Sequence, residues 1–598
     1  MTIRSAASGN RASGAWLRAL ELTAPITRQP VRTFPIAIQE LAERFGHAPA
    51  LMSDGESLTY RALAERANQY SRWAIAQGLI SGAVLGLLMP NCADYAAIWF
   101  GITRVGGVVA LINSSLGGSA LAHSINIVSA THVIVARQHV DAFEGVLERL
   151  RIKPRYWVHG SIDQGAGQLE HELRACAAAP LAGSEYRPPT IHDRALYIYT
   201  SGTSGLPKAV NVSHFRVMQW THWFAGLMDT RHEDRMYNCL PMYHSIGGVV
   251  ALGAPLVHGG AVVLRQRFSA SEFWNDIVKW DCTVFQYIGE LCRYLVNSPA
   301  QPSESQHRLR LCCGNGLRPE IWVRFKERFH IPQILEYYAS TEGNVSLYNC
   351  EERVGAIGRI PSLLRHRQSV VLIQCDEDST EPIRNAEGLC CPCLTNEVGE
   401  AIAELRPESS NPATQFEGYT DPEASSRKIL RNVLAAGDSW YRTGDLMRRD
   451  SAGYFYFVDR LGDTYRWKGE NVAAAEVAES LRSFAGVSDA VVYGVKVPGT
   501  EGRAGMAALE VCGEIDLRAL RRHLAAQLPP YARPLFVRIA REIPVTATHK
   551  PRKGDLIRDG FDPDATDDRI YFDDGELEAY ILVNDELFQR VQSGHIRL

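Results

Sequence analysis

The sequence lacks a dominant charge of either sign. Its 598 residues carry 63 lysines and arginines against 67 aspartates and glutamates, which gives a formal net charge of -4. A balanced surface provides no broad field for holding a polyanion. Nucleic acid is therefore not an expected partner, and any phosphate site must be local.

The sequence also lacks an uninterrupted apolar run. Its most apolar stretch, Ala83 to Ile112, is broken by Pro90, Asp94 and Arg104. A membrane span needs about 20 mostly apolar residues without charges. We therefore predict no transmembrane helix and leave peripheral contact with a membrane open.

The first 33 residues contain few acids and no apolar core of a secretion signal. They are rich in arginine, serine and alanine, and Glu21 is their single acid. This composition faintly resembles that of a transit peptide, but a frayed terminus is the simpler interpretation. We expect residues 1–33 to be a poorly structured terminus.

The cysteines show no paired arrangement. There are 13, an odd number scattered along a long chain, whereas disulfide frameworks belong to short secreted chains with even counts. A reducing, cytoplasmic compartment fits better. Cys390, Cys391 and Cys393 form the tightest group, but no second Cys or His pair follows at the spacing of a zinc site.

What the sequence does contain is globular composition with alternating structural elements. Hydrophobic residues make up 46% and charged residues 22%, and the length implies several domains. Short apolar strands alternate with helical stretches over residues 84–136 and again over 261–337, which predicts mostly parallel sheets covered by helices. We expect an α/β fold with a large domain over residues 34–460 and a small α+β domain over residues 461–598.

Several elements are predicted individually. Asp54-Gly55 suits the tip of a hairpin between Ala50 and Tyr60. The helices predicted from apolar periodicity include Phe34–Phe45, Arg61–Gly78, Ala93–Arg104, Gly289–Val296, Pro319–Phe329 and Leu517–Leu528.

The strongest local signal is an apolar strand that runs into a hydroxyl- and glycine-rich loop ending in lysine, Tyr197-Ile-Tyr-Thr-Ser-Gly-Thr-Ser-Gly-Leu-Pro-Lys208. Glycines let the main chain approach an anion, and successive N–H groups form an anion nest. Hydroxyls add donors and the lysine adds a charge, so the loop suits a polyphosphate. The predicted phosphate-binding residues are Thr200, Ser201, Gly202, Thr203, Ser204, Gly205 and Lys208.

Better-known loops are excluded by spacing. A P-loop started at Gly202 would need a second glycine where Pro207 stands, and Lys208 is followed by alanine rather than serine or threonine. Gly314-Asn-Gly316 begins like a dinucleotide fingerprint, but its third glycine falls on Pro319. The spacing of a hydrolase nucleophile elbow is missing as well.

The phosphate loop resembles the signature of the adenylate-forming superfamily, which includes acyl-CoA synthetases, nonribosomal adenylation domains and luciferases. Further segments resemble that family in its own order, from about Phe34 to the end of the chain. They are Pro241–His244 beside the acyl pocket, Gly314–Leu317 against adenine, Tyr337–Glu342, the ribose signature Tyr441–Asp445, and Asp459-Arg460 at the domain junction.

Three segments narrow the resemblance to the branch of fatty acid transport proteins and very-long-chain acyl-CoA synthetases. They are Thr341–Asn344, Gly462–Val472 and Gly594–Leu598. This branch also includes bile-acid and steroid-acid CoA ligases. The resemblance implies ATP, Mg²⁺ and coenzyme A as cosubstrates and cofactor.

The resemblance also implies roles for the matched residues. Glu342 is a hard oxygen ligand suited to Mg²⁺, and Asp445 can accept hydrogen bonds from ribose. Tyr338 can offer its ring to adenine, although a core position is a rival interpretation, as it is for His244. The implied nucleotide contacts further include Gly314, Asn315, Gly316, Tyr337, Ala339, Thr341 and Arg460.

The catalytic lysine implied by the resemblance is Lys550, in Pro544-Val-Thr-Ala-Thr-His-Lys550, with Lys553 as a nearby rival. A fixed cation there would stabilise charge at the α-phosphate. The segment reads Val-Thr-Ala-Thr-His where the family usually has Lys-Thr-Gly-Thr-Phe, which puts its local geometry in doubt. The small domain would be mobile, swinging at Gly462, and the implied path of CoA is lined by Trp467, Lys468, Gly469 and Glu470.

The predicted function is an acyl-CoA synthetase that forms acyl-AMP from a hydrophobic acid and passes the acyl group to CoA. A long- or very-long-chain fatty acid is the first candidate, and a bile or steroid acid is the second. Other hypotheses are an acyl-AMP ligase feeding a carrier protein, a lipid transport component without strong catalysis, and a luciferase-type monooxygenase, which the branch-specific segments disfavour.

Overall fold

The computed structural model describes most of the chain, in the segments 3–80, 82–160, 168–200, 206–365, 369–376, 381–406, 415–461, 465–467, 470–472, 474–498, 500, 502–528, 530–545, 551–594 and 596. The chain divides into two compact units. Unit 1 comprises Met1–Gln368 and Leu405–Ile429, and unit 2 comprises Ser369–Glu404 and Leu430–Leu598. The boundary between a large and a small domain that we predict at residue 460 stays a prediction.

The α-helices alternate with strands along most of unit 1. Among the described residues, the α-helices of the chain are Ile3–Thr23, Phe34–Phe45, Tyr60–Gln77, Ala93–Arg104, Gly118–Ile127, Val140–Glu144, Gln168–Arg174, His214–Met228, Ala251–Leu256, Phe273–Lys279, Gly289–Asn297, Pro319–Arg328, Pro422–Ser426, Ala474–Arg482, Leu517–Gln527, Lys553–Asp559 and Asp585–Gln592. Within the described residues, no helix is both long and apolar enough to cross a membrane.

Local chemistry sets several helix ends. The Thr59 hydroxyl accepts a hydrogen bond from the Ala62 N–H and caps the helix Tyr60–Gln77, which ends at Gly78 with φ of 78°. The Ser213 hydroxyl caps the helix His214–Met228 in the same way by accepting from the Arg216 N–H. These caps explain why the helices begin where the strands before them end.

The first sheet of unit 1 is mostly parallel. Its strands in spatial order are Arg155–His159, His132–Ala136, Val84–Leu88, Val108–Leu111, Arg194–Thr200 and Lys208–Ser213. Only the last two are antiparallel neighbours. The central strand Val84–Leu88 is buried along its whole length, as expected for a parallel strand covered on both faces.

The second sheet of unit 1 has a parallel centre and antiparallel edges. Its strands in spatial order are Gly358–Arg359, Ser346–Asn349, Ile334–Ala339, Leu311–Asn315, Val284–Ile288, Arg235–Asn238, Ala261–Leu264, Pro49–Met52 and Ser57–Thr59. Pro49–Met52 and Ser57–Thr59 form the hairpin predicted around Asp54-Gly55.

Among the described strands of unit 2, pairing is antiparallel except between Ala504–Val511 and Phe536–Ile539, which are parallel neighbours. Val370–Ile373, Val398–Glu404, Ser439–Arg449 and Tyr454–Arg460 are antiparallel neighbours. Tyr465–Trp467 pairs with Glu470–Val472. The C-terminal sheet has the order Val487–Val495, Ala504–Val511, Phe536–Ile539, Arg569–Asp574 and Ala579–Leu582. The α/β fold class with a separate C-terminal α+β sheet domain is confirmed.

The N-terminus differs from our expectation, because residues 3–23 form a helix rather than a poorly structured end. Trp16 is buried and contacts the rings of Trp223 and Tyr348 at 6.0 and 5.6 Å between centroids. A Cβ on Gly226 would lie 2.4 Å from the Ala19 main chain, so this glycine permits close helix packing. A buried apolar face, rather than intrinsic propensity, stabilises such a helix.

Candidate active site

The phosphate-loop signature lies at the edge of the first sheet of unit 1. Strands Arg194–Thr200 and Lys208–Ser213 pair so that Thr200 stands opposite Lys208. The Tyr199 hydroxyl donates to the Ser124 carbonyl oxygen at 2.6 Å and anchors the first strand. The predicted residues Ser201, Gly202, Thr203, Ser204 and Gly205 lie outside the described part of the chain, and their roles stay predictions.

Lys208 is held against a segment that the sequence motifs did not single out. Its Nζ lies 5.5 Å from the centroid of the Tyr419 ring, a cation–π distance. The Thr420 N–H donates to the Ala209 carbonyl at 2.9 Å, and the Asn211 N–H donates to the Gly418 carbonyl at 3.0 Å. The segment around Tyr419 therefore runs beside the lysine strand as an added, hydrogen-bonded edge.

The Thr-Glu signature occupies the turn between the antiparallel strands Ile334–Ala339 and Ser346–Asn349. The Tyr419 hydroxyl donates to Glu342 Oε1 at 2.9 Å. Burial raises the pKa of Tyr419, and the negative charge of Glu342 adds to that effect. Because Tyr419 contacts both Lys208 and Glu342, two predicted site residues 134 positions apart in sequence meet at one side chain.

Arg216 also holds the turn that contains Thr341 and Glu342. Its guanidinium Nη1 donates to the carbonyl oxygens of Thr341 at 2.7 Å and Gly343 at 3.3 Å. Its Nε lies 3.4 Å from Glu417 Oε1, and the other oxygen of Glu417 accepts from the Ser213 N–H at 2.7 Å. A buried arginine thus links the Thr341–Gly343 main chain to the strand that starts at Lys208.

The segment containing His244 meets the Thr-Glu turn. The Ser245 hydroxyl lies 3.1 Å from the Thr341 hydroxyl. His244 itself is half-buried, with its ring 4.6 Å from that of Tyr243. A π-helical turn, Ile246–Val250, follows directly, and such turns are frequent at functional sites. The structure therefore places His244 beside the predicted site.

The glycines after His244 are required by packing. A Cβ on Gly248 would lie 1.9 Å from the Met242 carbonyl oxygen, and one on Gly247 would lie 2.4 Å from that of Pro241. Buried Asn91 accepts from the Met242 N–H and donates to the Leu240 carbonyl, both at 2.8 Å. The His244 segment is therefore held in a single tight conformation.

The predicted adenine loop, Gly314–Leu317, follows the strand Leu311–Asn315. Gly316 has φ of 79°, and a Cβ on Gly289 would lie 1.8 Å from the Gly316 carbonyl oxygen. Glu336 lies beneath the loop, accepting from the Leu317 N–H at 3.0 Å and from the Tyr287 hydroxyl at 2.5 Å. Burial raises the pKa of Glu336 to about 8, against the effect of these hydrogen bonds.

The two tyrosines after Glu336 point to different surroundings. Tyr337 is buried, with its ring 4.7 Å from Phe224 in the core of unit 1. Its ring cannot offer a face to a nucleotide, which leaves only its main chain for the predicted contact. Tyr338 is half-buried and Ala339 is exposed. Tyr338 is therefore the tyrosine whose ring suits the adenine role.

In unit 2, the ribose signature forms part of the strand Ser439–Arg449. Asp445 stands opposite Arg460 in the pairing with Tyr454–Arg460, and Arg460 Nε lies 3.9 Å from Asp445 Oδ1. Glu400 is buried beneath the signature. It accepts from Arg442 Nη2 at 2.8 Å and from the Gly444 N–H at 3.1 Å. Asp445 and Arg460 are thus adjacent, as the prediction requires.

The remaining predicted residues of unit 2 are only partly described. Trp467 is buried in the core of unit 2 and pairs with Glu470 across a short hairpin, so its ring is covered rather than open to a CoA path. Lys553 begins the helix Lys553–Asp559. Gly462, Lys468, Gly469, Lys550 and the side chain of Glu470 lie outside the described residues.

Sequence reasoning missed Tyr419, Arg216, Glu417 and Glu336. The signal that could have found the first and third is the string Glu417-Gly-Tyr419, in which a glycine separates an acid from an aromatic residue shortly before Pro422. Nothing in the local sequence marks Arg216, because the Thr341 carbonyl and the Glu417 carboxylate that its guanidinium contacts are 125 and 201 positions distant. Glu336 directly precedes the Tyr337–Glu342 signature, but a buried strand normally excludes an acid.

The residues of the Thr-Glu turn fit the magnesium ion that the resemblance implies. The Glu342 carboxylate and the Thr341 hydroxyl are oxygen donors of the kind that Mg²⁺ prefers, and Mg²⁺ usually binds to one or two carboxylates plus substrate phosphates. Lys208 lies over the ring of the same tyrosine whose hydroxyl donates to Glu342. This arrangement suits a triphosphate with its cation.

The sequence matches two family descriptions. Residues 38–389 match the AMP-binding enzyme family, and residues 476–550 match the AMP-binding enzyme C-terminal domain. The chain is 38% identical to long-chain fatty acid transport protein 1 of Mus musculus over 574 residues, covering 95% of this chain and 88% of that protein.

Solved structures share the fold at low sequence identity. The crystal structure of the anthranilate CoA ligase AuaEII in complex with anthranoyl-AMP is similar with a TM-score of 0.74 and 21% identity, covering 88% of this chain and 96% of that one. ATP-bound MatB from Rhodopseudomonas palustris is similar with a TM-score of 0.72 and 20% identity, covering 87% and 98%. The extent and identity of the sequence matches decide the family: the chain belongs to the AMP-binding enzymes, in the branch of the long-chain fatty acid transport proteins.

Proposed function

We propose that this chain is an ATP-dependent acid–thiol ligase that converts a hydrophobic carboxylic acid into its CoA thioester through an acyl-AMP intermediate. The observation that supports this most strongly is the meeting of Lys208 and Glu342 at Tyr419, with Thr341 beside the His244 segment. This cluster brings together a cation for phosphate, a metal-binding carboxylate and the segment that the family places at the acid.

In the first step a carboxylate oxygen of the acid attacks the α-phosphorus of ATP. The bond from that phosphorus to the bridging oxygen breaks, and pyrophosphate leaves. Lys208 binds the phosphates as a point charge, and the hydroxyls of Thr341 and Ser245 can donate to the acid or the phosphate. When bound at Glu342, Mg²⁺ neutralises phosphate charge.

Lys550 is proposed to stabilise the charge that develops around the α-phosphate. In unit 2, Asp445 is proposed to accept from the ribose hydroxyls, with Arg460 beside it. In the second step the CoA thiol loses its proton to solvent, the thiolate attacks the acyl carbonyl carbon, and AMP leaves with the bonding electrons. No enzyme nucleophile is needed, which agrees with burial raising the pKa of several cysteine thiols, including Cys239, Cys312 and Cys313.

A long- or very-long-chain fatty acid is the proposed substrate class. Two observations support this class: the relatives are long-chain fatty acid transport proteins, and the apolar stretch Gly247–Leu252 after His244 is buried throughout. A long alkyl chain transfers favourably into such surroundings, at about 0.8 kcal/mol per buried methylene. A bile or steroid acid is the alternative occupant and serves as an arm of the test.

The test is AMP release from ATP and Mg²⁺ over a panel of acids, each with and without CoA. Acetate, palmitate, a very-long-chain acid, cholate and benzoate cover the classes. AMP release that requires CoA and is fastest with the long-chain acids supports the proposal. If AMP release were fastest with cholate, the proposed substrate class would change from long-chain fatty acids to bile or steroid acids. Folded protein that forms acyl-AMP but releases no AMP when CoA is added would contradict CoA as the acyl acceptor. That result would favour a carrier protein as the acceptor.

A further inference from the structure

The Tyr419 side chain contacts both Lys208 and Glu342. It is buried, and its main chain is fixed by a bridge to Val210 and by donation from the Tyr419 N–H to the Ser425 hydroxyl at 2.9 Å. Gly418, with φ of 69°, allows the turn that directs the segment along the lysine strand. The ring therefore has one orientation that serves both contacts.

We propose that Tyr419 is a positioning residue for the metal–triphosphate complex, with separate tasks for its two parts. The hydroxyl orients the Glu342 carboxylate through Oε1, and Oε2 would then be the oxygen that holds the cation. The ring holds the Lys208 ammonium through its π face. This inference rests on the proposed function, because it takes Glu342 and Lys208 as the metal and phosphate groups.

The division of tasks follows from the geometry. A glutamate side chain loses rotamer freedom when it binds a metal ion, and a hydrogen bond already made in the free enzyme reduces that cost. The hydroxyl distance of 2.9 Å is normal for such a bond, and the 5.5 Å distance between Nζ and the ring centroid lies within the cation–π range. Removing the hydroxyl alone should affect the metal, whereas removing the ring should also affect the phosphates.

The chain offers a matched control. The Tyr156 hydroxyl donates to Glu144 Oε1 at 2.9 Å, the same contact at the same distance on the surface of unit 1. Y156F therefore removes an equivalent tyrosine–carboxylate hydrogen bond outside the proposed site. Y419F is its counterpart at the site, and Y419L removes both the hydroxyl and the ring.

The experiment is calorimetric titration of full-length wild type, Y419F, Y419L and Y156F, without acid or CoA so that no turnover occurs. Each protein is titrated with ATP in chelator and with Mg²⁺–ATP. We expect Y419F to weaken Mg²⁺–ATP binding about 3- to 10-fold while metal-free ATP changes less than about 2-fold. We expect Y419L to weaken both and Y156F to change neither.

A second pair of variants tests whether the hydroxyl acts through Glu342. In an E342A background, Y419F should weaken Mg²⁺–ATP binding no further, because the carboxylate that it orients is gone. Equal effects of Y419F with and without Glu342, or equal losses for metal-free and Mg²⁺–ATP, would overturn the inference. Wild type that binds no Mg²⁺–ATP would instead overturn the proposed function, so the two failures are distinguishable.

Discussion

Two buried carboxylates support candidate nucleotide loops in the two units, and they differ in how their charge is balanced. Glu336 in unit 1 holds the Gly316–Leu317 main chain, and its described partners are neutral. Glu400 in unit 2 holds the Gly444 N–H and also receives two nitrogens of Arg442. Both glutamates are at most 1% exposed, so burial alone does not distinguish them.

A buried glutamate can therefore hold a loop by accepting main-chain hydrogen bonds either with or without an arginine as its counter-charge. A buried carboxyl without a cation keeps its proton up to a higher pH, which is why the pKa of Glu336 is raised to about 8. Glu400 instead supplies the counter-charge to the guanidinium of Arg442, so the buried arginine depends on it. The Glu336 loop should therefore tolerate a neutral amide, and the Glu400 loop should not.

The largest expected effect is that of E400Q. It leaves the guanidinium of Arg442 largely buried and without its main counter-charge, since Glu381 lies 3.7 Å away and is mostly exposed. Breaking a buried pair costs about 3 to 5 kcal/mol. We expect the melting transition of unit 2 to fall by roughly 6 °C or more in calorimetry. A shift below about 2 °C would show that the arginine has an adequate second partner.

The next effect is a pH dependence that E336Q should abolish. Burial raises the pKa of Glu336 from the ordinary 4.5 of a glutamate to about 8 in the folded state, so the folded state binds more protons between these limits. Its stabilising contribution is complete below about pH 4.5 and is lost as pH rises toward 8. Between pH 5 and 7 the wild type should lose roughly 3 kcal/mol relative to E336Q. If the melting temperatures of the wild type and E336Q changed equally between pH 5 and 7, the raised pKa of Glu336 would be contradicted.

A smaller effect is expected for E336L, which removes both acceptor oxygens. The Leu317 N–H and the Tyr287 hydroxyl would then be buried without an acceptor, at a cost of about 1 to 3 kcal/mol. Because the Gly314–Leu317 loop is the predicted adenine contact, the KM for ATP should rise while kcat changes less. E336Q keeps an acceptor for the Leu317 N–H, so its KM for ATP should stay near that of the wild type. An unchanged KM in E336L would separate this loop from ATP binding.

The sequence predicted those parts of the fold that depend on local pattern. The helices Phe34–Phe45 and Ala93–Arg104 have the predicted bounds, because periodic apolar residues and helix-compatible ends determine them. The helix Ile3–Thr23 was not predicted, since it depends on packing against His214–Met228, where Gly226 admits Ala19. Contacts between distant segments leave no such periodic signal.

The candidate site divides in the same way. Lys208, Thr341 and Glu342 could be predicted because each lies in a string whose residue types match its chemistry. Tyr419 and Arg216 could not, since their value arises from contacts made across 77 or more positions of sequence. A single tyrosine or arginine is more often a packing or surface residue. Three-dimensional proximity, not composition, assigns them to the site.

The central claim is tested most directly by acid-dependent exchange of radiolabelled pyrophosphate into ATP, measured without CoA. Exchange reports reversible formation of acyl-AMP and nothing later. We predict exchange by the wild type with long-chain fatty acid and Mg²⁺, and a loss of at least about 100-fold in K550A, because a fixed charge at the α-phosphate is removed. Absence of exchange by folded wild-type protein with every acid class would contradict the account, and full exchange by K550A would remove Lys550 from catalysis.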